Sequence, residues 1–167
     1  MKAASFLNRK VDQLGFVVKD INETIRNYYT YLGIGGWQIY TYGKPLLSFM
    51  KYRGKPIEYK AKIALSYFGE TRVELIQNLE GKTIYTDFIE KHGYGLQHLG
   101  IYVTDITAGL AEAIGAGFNI IMEGGGFGLD GDGHFAYLDT EPYFGITYEL
   151  IQRPLRRHEP EYVYPVK

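Results

Sequence analysis

Four polar side chains sit inside stretches that otherwise read as buried strands: Gln13 in VDQLGFVV, Glu74 in TRVELIQ, His98 in GLQHLGIYV and Glu149 in ITYELIQ. They fall in pairs because the chain repeats itself. QLGFVVKDI at 13–21 matches HLGIYVTDI at 98–106, and VELIQ at 73–77 matches YELIQ at 148–152. Gln13 is thereby equivalent to His98, and Glu74 to Glu149. The two offsets are 85 and 75 residues, so the halves differ by an insertion of about ten. If the halves fold alike and face each other, the four side chains meet. Two carboxylates, one imidazole and one amide oxygen suit a divalent cation in octahedral coordination, with two positions left for water or substrate. The competing explanation is structural: polar core residues that satisfy one another, with Arg72 on the same strand face as Glu74 as a partner for it.

Such a site needs a sheet in each half to carry it. Residues 11–18 alternate, with Leu14, Phe16 and Val18 on one face and Gln13, Gly15 and Val17 on the other. Asp20 and Glu23 predict a capping box, and Ile21, Ile25, Tyr28, Tyr29 and Leu32 follow at helical spacing up to Gly33. The second half repeats the grammar. Leu99, Ile101 and Val103 share a face, Asp105 starts a helix striped by Ile106, Leu110 and Ile114, and Gly115 and Gly117 end it. Later strands are predicted over 59–68 and 72–77, and over 134–139 and 146–152. The expected fold is α+β: two paired βαβββ modules, about 10–80 and 95–153, forming a curled mixed sheet around a central cavity within one domain. A linking helix is predicted over about 83–92. Residues 154–167 hold three of the six prolines and read as an extended arm. The stretch 37–60 is a strand pair or an irregular flap, and glycines 124–126, 128, 131 and 133 predict a flexible lid over the cavity mouth.

Composition narrows the function. The net charge of −1 and pI near 6.4 give no electrostatic footprint for nucleic acid or an anionic membrane. The absence of cysteine removes thiolate ligands, disulfides and a Cys nucleophile. The first fifteen residues have no apolar run of signal-peptide length, so a cytoplasmic protein is expected. Sixteen Tyr, nine Phe and one Trp suggest an amphipathic cavity.

VDQLGFVVKDI with its Tyr-rich helix, TRVELIQNLEG, GLQHLGIYVTDI and GITYELIQRP together resemble the vicinal oxygen chelate superfamily over about residues 10–153. That group contains glyoxalase I, methylmalonyl-CoA epimerase, extradiol dioxygenases and bleomycin-resistance proteins, and 71–105 looks most like the epimerase. The resemblance implies a metal held by Gln13, Glu74, His98 and Glu149. It also implies bidentate chelation of a carbonyl substrate whose enolate or enediolate the metal stabilises, with Glu149, then Glu74, as catalytic base. The expected cofactor is a divalent cation, with Mn, Co, Fe(II) or Ni favoured over Zn, and the expected assembly is a homodimer. Two departures stand out. Gln13 replaces the usual His, and the strand YKAKIALSYF lacks the second catalytic Glu of the epimerases, with Glu58 just outside it. An isomerase or lyase is therefore expected. The alternative is a metal-free sequestration protein for an aromatic ligand.

A substrate pocket is expected at His134, Trp37, Tyr40 and Tyr42, with Tyr28, Tyr29 and Tyr31 as further candidates for an aromatic wall. His92 and His158 are expected near a helix end and in the tail. The string from Gly126 to Gly131 matches GxGxxG, but no helix pattern opens there. Asp130 and Asp132 lack the remaining spacing of an EF-hand loop.

Overall fold

The computed structural model describes residue 5 and residues 10–165. The first half runs β1 (Gln13–Val17), α1 (Ile21–Leu32), β2 (Trp37–Tyr42), β3 (Phe49–Tyr52), β4 (Lys55–Pro56), β5 (Lys60–Phe68) and β6 (Thr71–Glu80). After α2 (Ile84–His92), the second half runs β7 (Gly95–Tyr102), α3 (Ile106–Gly115), β8 (Ile120–Phe127), β9 (Gly133–Leu138), α4 (Glu141–Phe144) and β10 (Thr147–Gln152), and β11 (Tyr162–Tyr164) is the last element among the described residues. Each half is βαβββ once the β3–β4 hairpin is set aside. That hairpin is the insertion that makes the two offsets differ.

The helices start at the expected caps, but the capping box predicted at Asp20 and Glu23 is only half made. The Asp20 side chain accepts the N–H of Glu23, and Gly33 closes α1 in the left-handed region at φ 69°. Asp105 caps α3 in the same way, through Ala108. The reciprocal capping box forms at α2, where Thr83 and Thr86 exchange bonds.

All strands join one sheet in the order β11-β2-β5-β6-β1-β7-β10-β9-β8-β3-β4. β1 is parallel to β6, β7 is parallel to β10, and the halves meet where β1 and β7 pair antiparallel. The sheet has to curl. β2 and β3 stand eight places apart in the order, roughly 38 Å in a flat sheet. The chain from Tyr42 to Phe49 reaches about 25 Å at full extension. The 37–60 segment is therefore a bridge: β2 belongs to the first half, and β3 lands on β8 of the second.

Three apolar clusters follow from the curl. Inside it lie Tyr40, Leu47, Met50, Tyr59, Ile63, Met122, Phe135 and Tyr137. Under α1 lie Ile21, Ile25, Trp37, Ile39 and Leu75, and under α3 lie Ile101, Ile106, Leu138 and Leu150. Most of the glycines read as a lid are strand residues instead. Gly124, Gly125 and Gly126 belong to β8, where a Cβ at Gly124 would come 2.7 Å from the Phe135 ring and one at Gly125 2.7 Å from the Phe49 ring. The missing side chains at Gly124 and Gly125 leave room for these two rings. Among the described residues, no helix is long and apolar enough to cross a membrane.

Candidate metal centre

The register of the four central strands sets the site. Gln13 faces Gly100 and His98 faces Gly15 across the β1–β7 pair. On the parallel sides, Gln13 lies beside Arg72 and Gly15 beside Glu74, while His98 lies beside Thr147 and Gly100 beside Glu149. The repeated glycine of QLG and HLG is the feature that makes the meeting sterically allowed. A Cβ on Gly15 would overlap the His98 ring, and one on Gly100 would stand 2.8 Å from the Gln13 Cβ. Each half leaves an opening for the other half's polar side chain.

All four predicted residues converge and are buried, with His98 fully so. Nε2 of His98 lies 3.0 Å from Glu149 Oε2 and 3.3 Å from Glu74 Oε2. Glu74, His98 and Glu149 each offer a ligand atom, and these atoms lie within 4.8 Å of one another. The imidazole is held by Gln97, whose Oε1 accepts from His98 Nδ1 at 2.8 Å. That bond leaves Nε2 facing the carboxylates, the outer-shell arrangement characteristic of a metal-ligating histidine. Gln97 escaped sequence reasoning because alternation sends neighbouring side chains to opposite faces. The β7 register shifts between Gly15 and Phe16, so that Gly15 faces His98 and Phe16 faces Leu96, and this bulge lets both Gln97 and His98 point inward.

Gln13 behaves differently from the oxygen donor expected of it. Arg72 Nε donates to Gln13 Oε1 at 2.5 Å, and Gln13 Nε2 donates to Glu74 Oε2 and Glu149 Oε2, each at 3.0 Å. The guanidinium has no acceptor role, so it fixes the amide with its NH2 toward the centre. In this orientation Gln13 ties the two carboxylates together, and the donor set that fits a divalent ion is Glu74, His98 and Glu149. Arg72 therefore partners Gln13 and not Glu74.

Electrostatics follow from burial and pairing. Burial alone would depress the pKa of His98, but the carboxylates of Glu149 and Glu74 outweigh it and push it up to about 9. Burial raises the carboxyl of Glu149. With two carboxylates against one imidazole, the proton of the metal-free cluster stays on His98.

The centre opens into a narrow pocket walled by Tyr42, Ile63, Tyr85, Phe127, Tyr137 and Arg157 beside the polar cluster. A second shallow pocket, sharing Tyr42, Phe127 and Arg157 with it, is lined by Tyr40, Leu46, Pro154 and His158. Tyr40 and Tyr42 thus lie where a substrate wall was expected. Trp37 and His134 do not. β2 alternates so that Trp37 and Ile39 face α1, where Trp37 is fully buried and its indole N–H donates to Ile34 O at 2.9 Å. His134 sits on the opposite face of β9 from Phe135 and Tyr137, 3.1 Å from Glu123 and edge-on to Phe49. Among the helix tyrosines, Tyr28 packs on Trp37, Tyr29 on Tyr164, and Tyr31 is 80% exposed. His92 pairs with Glu141 at 2.7 Å on the surface. Gly126–Gly131 is the end of β8 and a turn.

No curated protein matches the chain. Among solved structures, a hypothetical protein from Bacillus halodurans is 23% identical, with a TM-score of 0.60 over 90% of this chain and 98% of its own. Methylmalonyl-CoA epimerase from Mycobacterium tuberculosis is 20% identical, with a TM-score of 0.58 over 85% of this chain and 86% of its own. A variant of the Streptomyces coelicolor methylmalonyl-CoA epimerase in complex with 2-nitronate-propionyl-CoA is 15% identical, with a TM-score of 0.61 over 89% and 97%. These likenesses establish the fold. Residues 12–137, most of the chain, match the family described as the Glyoxalase/Bleomycin resistance protein/Dioxygenase superfamily, and the chain belongs to that superfamily.

Proposed function

We propose that the protein is a metal-dependent isomerase or lyase that moves a proton at the carbon next to a carbonyl of a small-molecule substrate. The observation that supports it most is the buried triad of Glu74, His98 and Glu149, with the imidazole already aimed by Gln97. These three would hold a divalent ion, with Mn, Co, Fe(II) or Ni preferred over Zn because oxygens outnumber nitrogen. When bound, such an ion supplies Lewis-acid polarisation of two vicinal substrate oxygens and so lowers the pKa of the adjacent C–H.

Glu149 takes the proton, with Glu74 as the second candidate. Burial raises the Glu149 carboxyl, which moves it toward the range in which a base works near neutral pH. Gln13, anchored by Arg72, donates to both carboxylates in the metal-free cluster. Tyr42 in the cavity wall is pushed up to about 12 by burial, so it stays protonated and does not abstract a proton. The residues of β5 that face the interior are Ala61, Ile63 and Leu65, and none is a carboxylate. Glu58 is exposed and pairs with Lys44. One base on one face fits a proton shift or an elimination better than inversion between two opposed bases.

A second reading, metal-free sequestration of an aromatic ligand, draws on the fact that the cluster satisfies itself through His98 and Gln13. Melting in EDTA and then with added Mn2+ separates the two, because an ion that binds only the folded state raises the midpoint. Solvent deuterium uptake by 2-hydroxy ketones or acyl thioesters tests the chemistry. A midpoint raised by Mn2+ with deuterium incorporated supports the enzyme. No shift with any of the four ions and no exchange contradicts it. A homodimer belongs to the same proposal, and sedimentation of the purified chain checks it.

A further inference from the structure

The C-terminal arm is built over the mouth of the cavity. It leaves β10, seats Pro154 against Gly128, and bonds Leu129 N–H to Arg156 O at 2.9 Å, while Arg156 pairs with Asp130. It then crosses to the far edge of the sheet, where Glu161 N–H bonds Ile39 O at 2.9 Å and β11 pairs with β2. The turn after β8 in the second half and β2 in the first thus hold the arm at its two ends. Between these anchors lies Arg157, the one arm residue that lines both pockets.

It lines the same pocket as Glu74 and Glu149 without a salt bridge to either. A divalent ion would neutralise Glu74 and Glu149, leaving the guanidinium groups of Arg72 and Arg157 in the wall. Arg72 is committed to Gln13 Oε1 and packs over Tyr102 at 5.0 Å. Neither arginine forms an ion pair with a carboxylate among the described residues. Arg157 shares the pocket lining with Tyr40 and Tyr42, and its guanidinium lies beside the Tyr40 phenol, a neutral neighbour that leaves its charge uncompensated.

We propose that Arg157 binds an anionic end of the substrate, and that the substrate class is a carbonyl compound bearing a second carboxylate remote from the oxygens that chelate the ion. The chelating end rests on the function proposed above; the Arg157 end stands on the arm alone. Titration calorimetry on the full chain tests it with 2-oxoglutarate against 2-oxobutanoate in Mn2+, and with succinate against butanoate in EDTA. The expected result is a preference of about tenfold or more for the ligand with the extra carboxylate. It falls to within about twofold in Arg157→Ala and Arg157→Gln and is partly kept in Arg157→Lys. No preference in the wild type, or one that survives both neutral variants, overturns the proposal. If Mn2+ changes no affinity, the chelation reading fails, and the EDTA pair still decides the role of Arg157. Two neutral variants guard against one that folds poorly, and equal melting midpoints confirm that the comparison is between folded proteins.

Discussion

Raising the pH should weaken the metal-free protein through His98. The imidazole ordinarily titrates at 6.5 and does so at about 9 in the folded chain, because the carboxylates of Glu149 and Glu74 outweigh its burial. At about 1.4 kcal/mol per pH unit, that gap corresponds to roughly 3 kcal/mol of stability. The sign follows from which state holds the proton more tightly. Below pH 6.5 both folded and unfolded chains are protonated and the contribution is complete. Between 6.5 and 9 only the folded chain keeps the proton, and the contribution drains away. The buried tyrosines do not blur this window. Tyr42 is raised to about 12, and burial holds Tyr59, Tyr85 and Tyr137 well above their ordinary value, so they stay protonated in both states below about pH 9.5. Urea denaturation in EDTA at pH 6, 7, 8 and 9, wild type against His98→Gln, isolates the effect. The wild type should lose roughly 3 kcal/mol relative to the variant across the series. A difference that stays flat, or grows with pH, refutes the proposed proton placement. Because an ion must displace that proton, apparent metal affinity should rise about tenfold per pH unit up to about pH 9.

Three substitutions probe the geometry. Gly15→Ala places a methyl group in the His98 ring, so it should cost about 1–3 kcal/mol in denaturant titrations and reduce Mn2+ affinity at least tenfold, whereas a silent variant would show that the ring has room to move. Gln97→Leu removes the acceptor at His98 Nδ1, and metal affinity by calorimetry should fall about 10–100-fold with the other ligands intact; unchanged affinity would deny Gln97 an orienting role. Gln13→Leu strips the carboxylates and Arg72 of a shared partner, so the metal-free protein should lose about 1–3 kcal/mol. Mn2+ affinity should change less than about threefold, since Gln13 contributes no ligand atom. A hundredfold loss would return Gln13 to the coordination sphere.

The site was legible where the signal is local and repeated. The paired motifs mark Gln13 with His98 and Glu74 with Glu149, and strand alternation alone puts them on the concave face. Legibility failed where the cause lies across the sheet. The amide of Gln13 is turned by Arg72, a neighbour on a parallel strand 59 residues away, and no local pattern reveals which strands adjoin. Gln97 was hidden by a bulge, which breaks the alternation on which the assignment of faces depends. Glycines 124–126 read as a lid because sequence shows the missing side chains and not the rings of Phe135 and Phe49 that need the space. Trp37 and His134 were placed in the pocket by chemical type, whereas the phase of β2 and β9 sends them to the other face. The proline-rich tail gave no hint that Arg157 reaches the cavity, because only the pairing of β11 with β2 brings the arm across it.

The most direct test is equilibrium Mn2+ binding to the EDTA-stripped chain, followed by the electron paramagnetic resonance of the free ion. If Glu74, His98 and Glu149 form a metal centre, the wild type binds one ion per chain, His98→Ala and Glu149→Gln weaken it by about a hundredfold or more, and Gln13→Leu keeps it. Failure of the wild type to bind stoichiometric Mn2+ up to pH 9, or equal affinity in the wild type and both ligand variants, would contradict the centre.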